Sequence, residues 1–423
     1  MAAILFFSFI ILIFLGVPVA FSLGLSSLFY LILADIPLSI IPQKMFGGLN
    51  SFVLLCIPGF ILAGNLMNAG GITDRIIQFA NNCFGHIRGG LGLANVGSSM
   101  GFAGISGTAL ADTASIGAIL IPAMKKEGYG AGFSAAVTAS SSTVGPIIPP
   151  SLPMIIVGTL ASVSIGDLFL AGALPGLLLG LGLMIPTYII SVKRNYPKGE
   201  RKSLKEIWKS FTGAFWALFM TVIIMYGILG GYFTPTEASV IAVLYAFVIG
   251  IFVYKELPIK KIPEIMLSSM TGTASIMLLV GFANLFGWIM VSEQIPQMVA
   301  DAILGISSNP IVVILLINLL LLFVGTFMET IAALVILFPV LLPVAASIGM
   351  DPVQFGVMMV LNLVIGLVTP PVGVCLFVAS QIGKISIGKT AKELLPFLGV
   401  SLAVLMLVAF VPQISLFLPS LFE

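Results

Sequence analysis

Two stretches decide how this chain folds: Ser140-Ser141-Ser142-Thr143-Val144-Gly145-Pro146-Ile147-Ile148-Pro149-Pro150 and Gly366-Leu367-Val368-Thr369-Pro370-Pro371-Val372-Gly373. Each interrupts an apolar run with Gly and Pro, which break helices, and with hydroxyl side chains. A single gapless shift of the chain along itself brings them together: Gly145 falls on Gly366, and Pro149-Pro150 on Pro370-Pro371. The same shift pairs Phe102 with Phe323, Gly104 with Gly325, Leu120 with Leu341, Pro122 with Pro343 and Gly128 with Gly349. Upstream, Gly59-Phe60 corresponds to Gly281-Phe282 at nearly that offset, and Pro18 to Pro235. Apolar sequences give chance identities, but coincident Gly and Pro punctuation marks a duplication.

Around these breaks the chain is 59% hydrophobic and 8% charged over 423 residues, with mean hydropathy +1.20. Globular proteins carry about 25% charged residues. A water-facing surface cannot be assembled here, which excludes soluble enzymes, nucleic-acid binders and disordered scaffolds. The apolar runs are continuous rather than alternating, so they predict a polytopic helical membrane protein and not a barrel. A spanning helix needs about 20 apolar residues. Full spans are expected at 2–16, 18–34, 51–69, 168–192, 211–232, 235–254, 266–290 and 393–417. The first lacks a basic n-region and reads as a membrane helix, not a signal peptide. Cys56, Cys83 and Cys375 form no C-x-x-C pair and read as apolar filler, and the lone His86 as a loop residue.

Between the full spans, 91–160 and 309–380 hold apolar pieces broken by Gly, Ser, Thr and Pro. Suppose each contains one re-entrant hairpin followed by one interrupted spanning segment. Then 17 of the 18 Lys and Arg fall on one side, with Lys44 alone opposite. Basic loops stay cytoplasmic, so both termini are expected outside. The first hairpin then opens to the cytoplasm and the second to the outside. Such inverted repeats mark secondary transporters, whose sites lie near the bilayer midplane. Residues 199–210 and 255–265 mix basic and apolar side chains and read as helices along the cytoplasmic interface.

The hairpin tips are Ile105-Ser106-Gly107-Thr108 and Gly325-Thr326-Phe327-Met328-Glu329-Thr330. Unwound backbone at that depth is tolerated only where protein or a wet cavity satisfies it. Freed carbonyls and hydroxyls are hard oxygen ligands suited to Na⁺, and half-helix N-termini suit an anion. Each half can build one cation site, with an organic anion between. No Lys or Arg lies between Lys126 and Lys193, or between Lys261 and Lys384. A carboxylate would therefore rely on cations, helix dipoles, hydroxyls and amides. The candidates are Ser106, Gly107, Thr108, Ser140, Thr326 and Asn362. Asp112 and Glu329 read either as proton or cation sites or as caps of the re-entrant helices. Glu237, in Thr234-Pro235-Thr236-Glu237, has capping-box spacing. Gly383-Lys384-Ile385-Ser386-Ile387-Gly388-Lys389-Thr390 fits the phosphate-loop pattern. It joins two membrane segments instead of following a strand, so no ATP binding is expected.

Several runs resemble the large membrane subunit of tripartite ATP-independent periplasmic (TRAP) transporters. They are Gly104 to Gly117 with Pro122-Ala123-Met124 and Gly128-Tyr129, Ile57 to Met67, Pro149-Pro150-Ser151, and Phe233 to Ala238. The resemblance implies an all-α inverted-repeat elevator of the ion-transporter superfamily in a bacterial inner membrane. It further implies Na⁺-coupled uptake of an organic acid (sialic acid or C4-dicarboxylate class) delivered by a periplasmic binding protein, with a small four-helix membrane subunit as partner. Carried over, Ser106 and the break residues Ser141, Ser142, Thr143 and Gly145 match the first sodium site. Gly325, Thr326 and Thr369 match the second, with Gly366 beside them. The implied transport domain is 51–167 and 266–389, and the scaffold 1–50, 168–265 and 390–423. A stand-alone Na⁺/dicarboxylate symporter of similar fold is the alternative. An intramembrane enzyme or a channel fits poorly, because paired catalytic acids are missing and a pore needs no opposed hairpins.

Overall fold

The computed structural model describes residues 2–307 and 309–422, and no strand occurs among them. The first half runs α1 (Ala2–Phe14), α2 (Val19–Leu33), α3 (Ile40–Leu49), α4 (Cys56–Ala69), α5 (Ile72–Phe84), α6 (Gly90–Ser106), α7 (Ala109–Lys126), α8 (Ala131–Ser142), α9 (Leu152–Ala161) and α10 (Ile165–Lys193). The second half runs α11 (Leu204–Leu229), α12 (Pro235–Val248), α13 (Ile262–Ser292), α14 (Ile295–Ile306), α15 (Pro310–Gly325), α16 (Thr330–Ser347), α17 (Pro352–Gly366), α18 (Val374–Gly383), α19 (Ile387–Phe410) and the short α20 (Pro412–Leu416). Among the described residues, seven helical stretches are long and apolar enough to cross a membrane.

The duplication extends to the level of individual caps. The shift that carries Gly145 onto Gly366 also carries both ends of α7, Ala109 and Lys126, onto both ends of α16, Thr330 and Ser347. Both helices close on a glycine in the left-handed region, Gly128 at φ +90° and Gly349 at φ +76°. In each, the next amide reaches back over the last turn: Tyr129 N to Met124 O and Met350 N to Ala345 O, both at 3.0 Å. The Pro149–Pro150 and Pro370–Pro371 peptide bonds are both cis.

The halves also pack reciprocally. Helix α7 lies against α18 while α16 lies against α9. Helix α8 lies against α19 while α17 lies against α10, and α4 pairs with α12 as α13 pairs with α2. Exchange of this kind is what a pseudo-two-fold relation produces. The centre of the molecule is built from α8 and α17, in which Gly132–Ser142 and Gln354–Gly366 are buried without exception. Helices buried on every side need apolar or small residues all round, as these have.

Local chemistry explains where several helices start. Thr234 and Glu237 form the expected capping box: Thr234 N donates to Glu237 Oε2 at 2.8 Å, and Glu237 N to Thr234 Oγ1 at 3.3 Å. Ser203 and Glu206 form another at the head of α11. That box corrects one expectation. Residues 199–210 are not a separate interfacial helix; they lead into α11, and 255–265 likewise lead into α13 through a short turn at Ile259–Lys261. A mixed basic and apolar opening turn has the same composition in either setting. The expected span 393–417 ends earlier, at Phe410, because Pro412 opens a new helix.

Helix α3 went unread in the sequence, and so did the pair α5 and α14. Helices α5 and α14 occupy matching positions in the halves, each between a long helix and a helical hairpin. Helix α5 buries Ile72, Ile76 and Ala80 on one face and exposes Asp74, Gln78 and Asn81. It is fastened by Arg75, which donates to Glu256 Oε1 at 2.8 Å and Oε2 at 3.0 Å and lies 4.0 Å from the centroid of the Tyr254 ring.

Small residues set the helix separations. A Cβ on Gly59 would lie 2.7 Å from Ser239 Cβ, so α4 and α12 touch only because Gly59 has none. Gly59→Val is expected to cost about 1–3 kcal/mol by overpacking. Gly388→Ala, where nothing stands within 4 Å of the new methyl, should be neutral or slightly stabilising. Thermal melts of the detergent-purified chain compare the two. The Arg75 guanidinium, through its hydrogen bonds, holds Glu256 below the usual carboxylate range. A depressed carboxylate stabilises above its unfolded pKa and loses that contribution as pH falls through the folded value. The melting deficit of Arg75→Gln, about 1 kcal/mol or less for so exposed a pair, should therefore shrink on acidification.

Candidate functional site

The four breaks converge, and the sequence dictates each one. Helix α6 ends because Gly107 adopts φ +63°, and Thr108 is extended before α7 begins. Helix α15 ends at Gly325, and Glu329 starts α16 by accepting from Ile331 N at 2.9 Å and Ala332 N at 3.3 Å. Helix α8 stops at Ser142, and Ser151 opens α9 by accepting from Met154 N at 3.3 Å while donating to Pro146 O. Helix α17 stops at Gly366, and Gly373, at φ +50°, opens α18.

Between them lies a cavity of about 500 Å³. Ser106, Gly107 and Thr108 reach it from the first tip, and Glu329 and Thr330 from the second. Pro146 and Leu152 represent the first break there, and Leu367 and Val374 the second. The opposite wall is α4 and α13, through Asn65, Asn68 and Ser275. Among the described residues no Lys or Arg lines it, and the one acid that does is Glu329.

The other candidates stand behind this surface. Ser140, Ser141, Ser142, Thr143 and Gly145 are fully or almost fully buried against the first tip. Ser141 Oγ receives a hydrogen bond from Ser99 Oγ at 2.8 Å, which ties the break to α6. Asp112 is buried; its Oδ1 accepts from Ser106 Oγ, and its Oδ2 lies beside Gly145 without a hydrogen-bond partner. Of the two acids, Glu329 is thus a helix cap that faces the cavity, whereas Asp112 caps nothing. In the second half Gly325 and Gly366 press together, a Cβ on Gly366 falling 2.5 Å from Gly325 C. Thr326 O accepts from Gly373 N at 3.3 Å, and Thr369 Oγ1 donates to Ile365 O at 2.8 Å. Asn362 lies away from the cavity, its Nδ2 donating to Asn318 Oδ1 at 2.7 Å. It is the repeat equivalent of Ser141 and, like Ser141, ties an interrupted helix to its hairpin.

Neutral oxygens predominate among the polar groups at the tips and breaks. Buried polar atoms are normally hydrogen-bonded. Yet among the described residues Asp112 Oδ2, Ser140 Oγ, Thr330 Oγ1 and Asn362 Oδ1, in or beside the tips and breaks, have no partner, as do Ser27 Oγ and Ser415 Oγ away from them. No group of three or more His, Cys, Asp or Glu gathers among those residues.

Asn65, Asn68 and Ser275 were missed in the sequence, and a signal existed. Asn65 and Asn68 are amides one helical turn apart inside an apolar span, where polar side chains carry a cost. Asn65 Nδ2 donates to Ser269 Oγ at 2.8 Å, and Asn68 Nδ2 to Ser115 Oγ at 3.1 Å. The phosphate-loop lookalike forms the α18–α19 turn, with Gly383 O accepting from Lys125 Nζ at 2.8 Å.

Residues 6–414 match the model of the tripartite ATP-independent periplasmic transporter DctM component. The chain is 47% identical over 412 residues to the sialic acid TRAP transporter large permease protein SiaM of Vibrio cholerae, covering 97% of this chain and 96% of that one. It is 40% identical over 400 residues to the C4-dicarboxylate TRAP transporter large permease protein DctM of Pseudomonas aeruginosa, covering 94% of each. The solved YdaH transporter of Alcanivorax borkumensis shares the fold with a TM-score of 0.62 at 15% identity, over 88% of each chain. The apolar helices and these relatives together make the chain a multi-pass membrane transporter subunit, not an enzyme, and it belongs to the DctM component family of the tripartite ATP-independent periplasmic transporters.

Proposed function

We propose that this chain is the large permease of a sodium-coupled importer for an organic acid of the sialic acid or C4-dicarboxylate class. In this reading a periplasmic binding protein delivers the acid, and a small four-helix membrane subunit completes the permease in the bacterial inner membrane. The observation that carries it is electrostatic. A cavity where both hairpin tips meet contains no basic side chain, has Glu329 on its wall and is backed by unpartnered oxygens. Such a surface repels a carboxylate unless cations bind first. Two Na⁺, one at Ser106 with the first break and one at Gly325, Thr326, Gly366 and Thr369, would reverse its sign.

The distribution of Lys and Arg supports opposed re-entrant hairpins. Helices α6 and α7 have 17 and 18 residues, about 26 Å at 1.5 Å per residue, short of a ~30 Å hydrocarbon layer. Helix α16 has 18 residues, as α7 does, but is apolar enough to count as a candidate span, so length and composition together do not decide its path. If it crossed, the segregation of the other basic residues from Lys44 would be lost. With re-entry, both termini lie in the periplasm.

Alternating access would move the hairpins against a frame. We draw that boundary more tightly than 51–167 and 266–389. Because α4 packs on α12 and α13 on α2, these four form the frame together. The moving part is then α6–α9 with α15–α18, and α5 and α14 are the linking arms. Two Na⁺ with a monoanion carry one net charge, worth about 2.3 kcal/mol per 100 mV, so no nucleotide is required.

Uptake by proteoliposomes holding the permease, its small subunit and the binding protein tests this. Uptake should require both inward sodium and the binding protein. Ser106→Ala and Thr326→Ala should each raise half-saturating sodium about tenfold, the scale of one lost ligand. An unchanged sodium dependence in both variants would overturn the site assignment, and uptake without the binding protein would favour a stand-alone symporter.

A further inference from the structure

A second cavity, of about 580 Å³, lies beyond the first on the side of Lys44. Three helices pass from one cavity to the other within about a turn. Helix α9 contributes Pro153 to the inner cavity and Ile156 to the outer; α13 contributes Leu279 and then Val280; α16 contributes Ile331 and then Val335. The cavities are therefore stacked in series along the same three elements, parted by one layer of apolar side chains.

Their chemistry is opposite. Among the described residues no Asp or Glu lines the outer cavity, and Lys44 does. Lys44 is half-buried on α3, and its Nζ lies 5.0 Å from the centroid of the Trp288 ring. The close approach of α3 to α13 that sets this contact depends on Gly48, where a Cβ would come 2.5 Å from Asn284 Cβ. The salt bridges among the described residues are Arg75–Glu256 and Arg194–Glu393, so Lys44 has no acid partner there. Asn284, Ser51 and Thr159 line the same cavity with neutral hydrogen-bonding groups.

We propose that the outer cavity is a separate carboxylate-binding site, in which Lys44, steadied by Trp288, captures the acid before it enters the cation-dependent inner cavity. An ammonium held against an aromatic face and lacking a counter-ion is a receptor for an anion. Its neighbouring amide and hydroxyls match the remaining polar groups of a small acid. The arrangement divides the labour: the outer site attracts by fixed charge, and the inner site binds only when its cations are in place. The binding claim takes from the preceding section that the cargo is an organic anion, and the order of the two cavities takes from it that the Lys44 side faces outward.

Trp288 is a built-in reporter, since the chain has three tryptophans and Trp208→Phe with Trp216→Phe leaves it alone. The full-length double variant in phosphatidylcholine liposomes would be titrated with acetate, succinate and sialic acid at constant ionic strength, with chloride as reference. A saturable change in Trp288 emission is expected with the carboxylates. Lys44→Gln should weaken half-saturation about tenfold or more, the scale of a lost charge-assisted hydrogen bond. Lys44→Arg should restore it, which guards against misfolding, and Ser106→Ala, in the inner cavity, should leave it unmoved. Absence of a saturable response, or indifference to Lys44→Gln, overturns the proposal. So does sensitivity to Ser106→Ala, which would place the reported event in the inner cavity. A response that follows added phosphatidylglycerol and not the carboxylates would make this a lipid-headgroup site and overturn it too. Loss of sodium dependence in the uptake assay would leave this site standing, so the two readings fail separately.

Discussion

Every unwound segment in the middle of this molecule must find hydrogen-bond partners inside the protein, because a bilayer interior offers none. The fold meets that demand by setting break against break. Gly373 N finds Thr326 O at 3.3 Å, the Gly325 and Gly366 backbones touch, and Ser151 holds the carbonyl of Pro146. Side chains larger than hydrogen at these glycines would part the segments and leave their amides orphaned. The site is thus a by-product of satisfying the backbone: where two breaks meet, carbonyl and hydroxyl oxygens in excess of available donors collect in one place.

Much of this was legible in the residues. Gly and Pro punctuation located the four breaks closely, since those residues act on the backbone locally. The repeat that sets Gly145 on Gly366 exposed the duplication, down to matching glycine caps at Gly128 and Gly349. Surfaces created by distant elements were not legible. Asn362 looked like a site amide, but α15 reaches it first through Asn318. Asn65 and Ser275 lie on spans that the sequence put in the transport domain without a part in the site, and they became a cavity wall because hairpin tips from elsewhere face them. Helix α5 was hidden because its apolar face is only one stripe wide, and a search for long apolar runs passes over it.

The placement of charge is as informative as the packing. Among the described residues, the acids beside the tips and breaks are Asp112, which is buried, and Glu329, which faces the cavity. Glu329 is occupied in capping α16. Asp112 keeps one oxygen unpartnered beside the first break. In the proposed function, acids and unpaired oxygens at the cavity would give cations the decisive part, so that affinity for an organic acid would be set by ions brought from outside.

The exchange of partners between the halves has a consequence for synthesis. Helix α7 leaves the ribosome more than half a chain length before α18, the helix it rests on. Until then the flank of α7 that packs on α18 is uncovered. The nascent first half is therefore an unfinished object that needs shelter, from the insertion machinery or from water at the interface, until its counterpart arrives. Fusion of the two copies into one polypeptide keeps that counterpart tethered and bounds the wait by the pace of translation.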